Sequence, residues 1–153
     1  MIIDVTNNRG GDIKQCLNII NLLLNNISTI CVIKNAKSAK TKLISEGIGT
    51  CINIVILVNE YTSSAAELLV SAIKSNGGII IGKKTYGKST IQSILPLTEY
   101  DGSALKITVS EFYTPNNEKI NGVGIRPNYE MDINNLLDSN MNDIISFVKS
   151  VFK

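Results

Sequence analysis

The 153-residue chain has no histidine. This excludes Ser-His-Asp and Cys-His catalysis and every histidine-ligated metal site. Any nucleophile in this sequence needs a different base, and lysine is the principal alternative. Aromatic residues are only 5% of the chain, too few for a platform that stacks single-stranded nucleic acid. The formal net charge is +2 and the lysines are scattered, so neither nucleic acid nor an anionic membrane is indicated as a partner. No apolar run reaches the ~18 residues of a membrane span. The first residues read as an apolar strand and not as a signal peptide. Cys16, Cys31 and Cys51 are an odd number without paired spacing, which excludes a disulfide framework or a zinc site and leaves small core residues as the reading.

What is present is globular. Hydrophobic residues make up 44% and charged residues 18%, and the length suits one domain with a real core. Met1 to Val5 reads as a short buried strand, and Thr6 to Asp12 (TNNRGGD) as a turn. Ile13, Cys16, Leu17, Ile20, Leu23 and Leu24 recur at helical spacing. Thr29 to Lys34 is a second strand, and Asn35 to Gly49 is an ambiguous polar stretch, a hairpin or a flap. Ile52 to Val58 (INIVILV) is a continuous β-branched run, predicted as a buried parallel strand. A helix over Ser64 to Ser75 and a strand within Gly78 to Gly82 follow. Strands over Thr90 to Leu97 and Ala104 to Tyr113 flank a turn at Tyr100-Asp101-Gly102. Pro115 to Pro127 is loop, and Asn134 to Phe152 a helical tail. Strand–helix alternation predicts an α/β fold with a β-rich C-terminal part.

Gly82-Lys83-Lys84-Thr85-Tyr86-Gly87-Lys88-Ser89 matches the phosphate-binding P-loop pattern letter for letter. A P-loop presents phosphates to a helix N-terminus, so a helix must follow the lysine. The residues that follow, Thr90 to Leu97, are β-branched and contain Pro96, which breaks a helix. A nucleotide-binding protein is therefore the weaker reading.

Val58 to Glu67 (VNEYTSSAAE) joins a buried strand to a helix. A serine at a helix start lies near free backbone amides, a setting that stabilises an oxyanion. Ser64-x-x-Glu67 is equally a capping box, which needs no catalytic role. Four blocks in order decide between these readings. Asp4 to Gly11 (DVTNNRGG) is similar to Asp-Leu-Arg-Asn-Asn-Pro-Gly-Gly, and Thr62 to Glu67 (TSSAAE) to Ser-Ala-Ser-Ala-Ser-Glu. Gly82 to Gln92 (GKKTYGKSTIQ) is similar to Gly-Glu-x-Thr-Phe-Gly-Lys-Gly-x-x-Gln. Tyr113-Thr114-Pro115, with Ile120 to Asn128 (INGVGIRPN), is similar to Tyr-Tyr-Thr-Pro and Ile-x-Gly-x-Gly-Ile-x-Pro-Asp. Those are the motifs of the C-terminal processing, or tail-specific, serine peptidases, which the chain resembles along nearly its whole length.

The resemblance implies a ClpP/crotonase-like α/β core and peptide-bond hydrolysis through an acyl-enzyme. It assigns Ser64 as nucleophile, Lys88 as general base and Gln92 as the residue orienting the lysine. The oxyanion donors it implies are the backbone amides of Gly10 or Gly11 and of Ala65. If Lys88 and Gln92 share one strand, their four-residue spacing puts them on one face. A lysine base must be neutral, whereas a free lysine has a pKa of ~10.4, so this chemistry calls for a desolvated amine.

The pattern departs at Thr6, Arg9, Ser75, Ser89 and Asn128, and keeps the nucleophile, base and glutamine. The implied partners are proteins or peptides with apolar C-terminal tails, with a homo-oligomer left open. No metal, nucleotide or other cofactor is implied. The family works outside the cytoplasm, membrane-associated or secreted. Its members carry a PDZ domain and further core strands before the first block, so residues 1–153 read as a partial catalytic core. The rival reading is a non-catalytic peptide-binding scaffold of the same fold.

Overall fold

The structure is a computed structural model that describes residues 1–50, 53–97, 101–133 and 141–152. The fold is mixed α/β, as the alternation predicts. Four strands form a parallel sheet in the order β1 (Ile2–Asp4), β4 (Val55–Val58), β5 (Ile79–Gly82) and β8 (Tyr129–Glu130). Four others form an antiparallel sheet in the order β3 (Lys40–Ile44), β2 (Thr29–Asn35), β7 (Ala104–Tyr113) and β6 (Thr90–Pro96).

Strand β4 shows why the parallel sheet forms here. All four of its residues are buried, and successive side chains leave opposite faces. Ile54, Ile56 and Val58 enter the larger core, with α1 (Ile13–Leu23), α2 (Ala65–Ser75), Ile80 and Phe112. Val55 and Leu57 enter a smaller one with Ile81, Ile133 and Ile144, the last from α3 (Met141–Val151). A strand covered on both faces is apolar throughout, the run read from the sequence. Helix α1 buries Cys16, Ile20 and Leu23, and the Asp12 carboxylate caps it by accepting the Gln15 N–H at 2.9 Å.

The stretch from Asn35 to Gly49 resolves as a hairpin, with β3 paired to β2. Strand β8 is too short to carry a pattern of its own. The larger correction concerns Lys88. It lies two residues before β6, not on a strand. The shared-face argument for Lys88 and Gln92 therefore fails as stated. The turn predicted at Tyr100 and the readings of Cys51 and of residues 134–140 lie outside the described residues.

Candidate active site

Three turns follow the carboxyl ends of parallel strands β1, β4 and β5. They converge on one cavity of about 520 Å³, lined by Gly10, Gly11, Ser64, Lys88, Thr90 and Gln92 among others. Open α/β sheets bind ligands outside the carboxyl ends of their strands for this reason: the chain reverses there and its loops are free to differ. The same cavity is lined by Arg9, Lys14 and Lys106 against the single carboxylate of Asp12.

Ser64 caps α2 with φ 58° and ψ −123°. Only glycine adopts this region without strain, and a serine there costs on the order of 1–3 kcal/mol. The neighbouring residues hold it in place. Thr62 Oγ1 donates to the Val5 carbonyl at 2.8 Å, and Ser63 N–H donates to the Asn8 carbonyl at 2.9 Å. Ser63 Oγ donates to the Arg9 carbonyl at 3.1 Å. Asn7 and Asn59 exchange two hydrogen bonds of 3.0 Å. The β1 turn is thus stitched to the β4 turn, and Ser63 is consumed in the stitching while Ser64 faces the cavity, half-buried.

Gly10 makes this contact sterically possible. Its φ is +87°, and a Cβ there would sit 2.7 Å from the Ala65 nitrogen and 2.8 Å from Ser64 Cβ. Its N–H is held by Asn8 Oδ1 at 2.9 Å. Gly11 has open space on its Cβ side. Ala65 is the first residue of α2, where backbone N–H groups have no partner within the helix.

Glu67 is the residue whose part the sequence understated. Its capping role is real, since one carboxylate oxygen, Oε2, accepts the Ser64 N–H at 3.0 Å. That same oxygen accepts the Lys88 N–H at 2.7 Å. The other oxygen accepts Thr85 Oγ1–H at 2.5 Å and the Gly87 N–H at 2.7 Å. Glu67 is fully buried, and its bonds to Thr85 and Gly87 are made away from water, where charge-assisted bonds are strong, while those to Ser64 and Lys88 are partly buried. The capping-box spacing was the one available signal; nothing local in the sequence linked Glu67 to residues 85–88.

The β5–β6 segment is held from its other side as well. Thr85 Oγ1 accepts the Ile125 N–H at 2.8 Å, and Gly87 O accepts the Gly122 N–H at 2.8 Å. Gly87 has φ +92°, and a Cβ there would sit 2.7 Å from the Gly124 nitrogen, leaving no room for a side chain. The P-loop string therefore runs extended into β6, with no helix after its lysine. Gln92 is exposed and lines the same cavity as Lys88. Among the described residues no group of acidic, cysteine or histidine side chains could hold a metal. No helix there is long and apolar enough to cross a membrane.

The chain is similar to known proteins over most of its length. It is 34% identical over 152 residues to carboxyl-terminal-processing peptidase 3, chloroplastic, of Arabidopsis thaliana, covering 97% of this chain and 29% of that protein. It is 35% identical over 128 residues to the carboxyl-terminal-processing protease of Synechocystis sp., covering 82% and 29%. The solved photosystem II D1 C-terminal processing protease superposes with a TM-score of 0.77 at 30% identity, covering 86% of this chain and 34% of that one. A lipoprotein from Streptococcus agalactiae, at TM-score 0.75 and 21% identity, shares the fold. The chain thus spans under a third of the length of these curated relatives. The sequence profile of peptidase family S41 matches residues 1–131, and with the four ordered motifs this establishes that the chain belongs to peptidase family S41.

Proposed function

We propose that the chain carries the catalytic core of a serine endopeptidase that cleaves proteins near their C-termini through an acyl-enzyme. The observation that carries this reading is the single carboxylate oxygen of Glu67, which holds the main chains of Ser64 and Lys88 beside one cavity. Ser64 is the nucleophile and Lys88 its base, with Gln92 orienting the amine. The neutral Lys88 amine takes the Ser64 hydroxyl proton as Oγ adds to the scissile carbonyl. The developing oxyanion is met by the Ala65 N–H and, since Asn8 occupies the Gly10 N–H, by the Gly11 N–H. Collapse breaks the C–N bond, and the proton on Lys88 passes to the leaving amine. Water then adds to the acyl-enzyme, giving its proton to Lys88, which passes it to Ser64 Oγ as the acyl C–O bond breaks and the new carboxyl terminus leaves. Lys88 is half-buried in the open cavity, and a bound polypeptide would remove the remaining water from it. Apolar C-terminal tails are the proposed substrates, and the relatives named above favour a setting outside the cytoplasm.

A fluorophosphonate probe tests the reading. It should label Ser64 in this chain, as located by peptide mass spectrometry, and labelling should vanish in Ser64→Ala. Ser63→Ala should keep the label and lose about 1 kcal/mol of stability with its bond to Arg9. A folded chain whose Ser64 stays unlabelled supports the non-catalytic scaffold instead.

A further inference from the structure

A second cavity, of about 430 Å³, opens beside the C-terminal half of α2 and shares no residue with the one at Ser64. Three cations, Lys74, Lys119 and Arg126, line it against one carboxylate, Glu118. Among the described residues the ion pairs are those of Lys83 with Glu60 and Asp132, so no carboxylate neutralises these three cations. Lys74 Nζ donates to the Arg126 carbonyl at 2.7 Å, which holds the amine at the cavity and leaves its other N–H groups for a ligand. Glu118 is bound up in its own turn: its N–H donates to Thr114 Oγ1 at 3.0 Å, and its carboxylate accepts that hydroxyl at 3.5 Å. The main chain of the facing wall is spent. Ile125 N–H is taken by Thr85 Oγ1 and Gly124 N–H by the Ile120 carbonyl, each at 2.8 Å. A ligand here is met by side chains on a fixed frame.

Ser71 is the residue that points to a ligand. It lines this cavity, it is only 2% exposed, and its buried Oγ has no hydrogen-bond partner among the described residues. Buried hydroxyls are nearly always paired, because an unmade bond forfeits the group's hydration. Here the hydroxyl stands with ammonium and guanidinium groups, which only donate. Such a set suits a ligand that only accepts, with several oxygens and negative charge. Three cations less Glu118 leave two positive charges, which a phosphoryl dianion balances and a single carboxylate does not. We propose that this cavity binds a phosphate group, with Ser71 Oγ–H, Lys74, Lys119 and Arg126 as its donors. The Arg126 fork matches two phosphate oxygens at once. The inference goes beyond the peptidase reading and does not depend on it, since no residue of the Ser64 cavity takes part.

Isothermal titration of the whole chain with inorganic phosphate, at an ionic strength held constant with sodium chloride, tests the proposal. Phosphate should bind at a single site and raise the melting temperature. Ser71→Ala and Arg126→Gln should each weaken binding about tenfold or more. In phosphate-free buffer Ser71→Ala should melt no lower than wild type, because its hydroxyl has no bond to lose. The cavity at Ser64 is the rival anion site, lined by Arg9, Lys14 and Lys106, so Lys106→Gln should leave the affinity unchanged. Glycerol phosphate is titrated in parallel, and the tighter of the two probes tells whether the free ion or the phosphoryl group of a small ester is the better ligand. Neither probe binding overturns the proposal. So does undiminished affinity in Ser71→Ala and Arg126→Gln, or a loss confined to Lys106→Gln. A lower phosphate-free melting temperature in Ser71→Ala overturns it as well, because the hydroxyl then has a partner within the chain.

Discussion

Ser64 and Lys88 donate their backbone N–H groups to one oxygen of Glu67, at 3.0 and 2.7 Å. Twenty-four residues apart in sequence, they are registered against each other through a single buried atom. The geometry of the pair therefore depends on a residue that need not touch substrate.

Replacing Glu67 tests that dependence. Glu67→Ala leaves the buried Thr85 hydroxyl and Gly87 N–H unpaired, each costing about 1–3 kcal/mol, and removes the partner of the partly buried Ser64 and Lys88 N–H groups. We expect a loss of several kcal/mol by urea denaturation. Glu67→Gln keeps the volume but turns amide hydrogens toward donors. It should remain folded in part and slow fluorophosphonate labelling of Ser64 more than it lowers the melting temperature. Equal labelling rates in folded Glu67→Gln and wild type would remove the positioning role.

The two glycines of the first turn should behave oppositely. Gly10→Ala places a methyl 2.7 Å from the Ala65 nitrogen at a φ of +87°. It must push the Ser64 turn away and should abolish labelling with a cost of at least about 2 kcal/mol. Gly11→Ala meets open space and should alter stability by no more than about 1 kcal/mol. Thermal melts of both variants decide the comparison.

Lys88→Arg separates a base from a binding cation. Arginine keeps the charge and cannot give up its proton at usable pH. If Lys88 accepts the serine proton, Lys88→Arg and Lys88→Ala should lose labelling and peptide turnover alike, with the loss in kcat more than in KM. An arginine variant near wild-type turnover would exclude Lys88 as the base.

The buried thiols predict an alkaline weakness. Burial pushes Cys16 and Cys31 from the ordinary 9.0 up to about 12. Folded thiols then stay protonated where unfolded ones ionise, so the folded state binds more protons and stability falls as pH rises above 9. At pH 10 the loss is roughly 1 kcal/mol per thiol. Urea melts at pH 8 and 10 should show the drop, and Cys31→Ala should reduce it. At pH 8 neither thiol should react with iodoacetamide until the chain is unfolded.

The sequence by itself determined the local elements and the chemistry available. Local sequence sufficed for three elements: helical spacing for α1, the continuous β-branched run for β4 and the Ser64-x-x-Glu67 start for α2. The lack of histidine left lysine as the principal alternative base for any serine nucleophile, and the β-branched run after Lys88 made a P-loop the weaker reading. The family resemblance, through the three-residue offset from Glu67, pointed to Ser64 over Ser63. Only the tertiary structure shows that Ser63 is tied to Arg9 across 54 residues while Ser64 is left at the cavity. It also decided that Lys88 precedes its strand, that Gly10 gives up its amide to Asn8, and that β6 is an edge. Each of these depends on which distant backbone group reaches a given donor or acceptor. Side-chain periodicity carries no information about such pairings, because they are set by how the two sheets and their turns pack together.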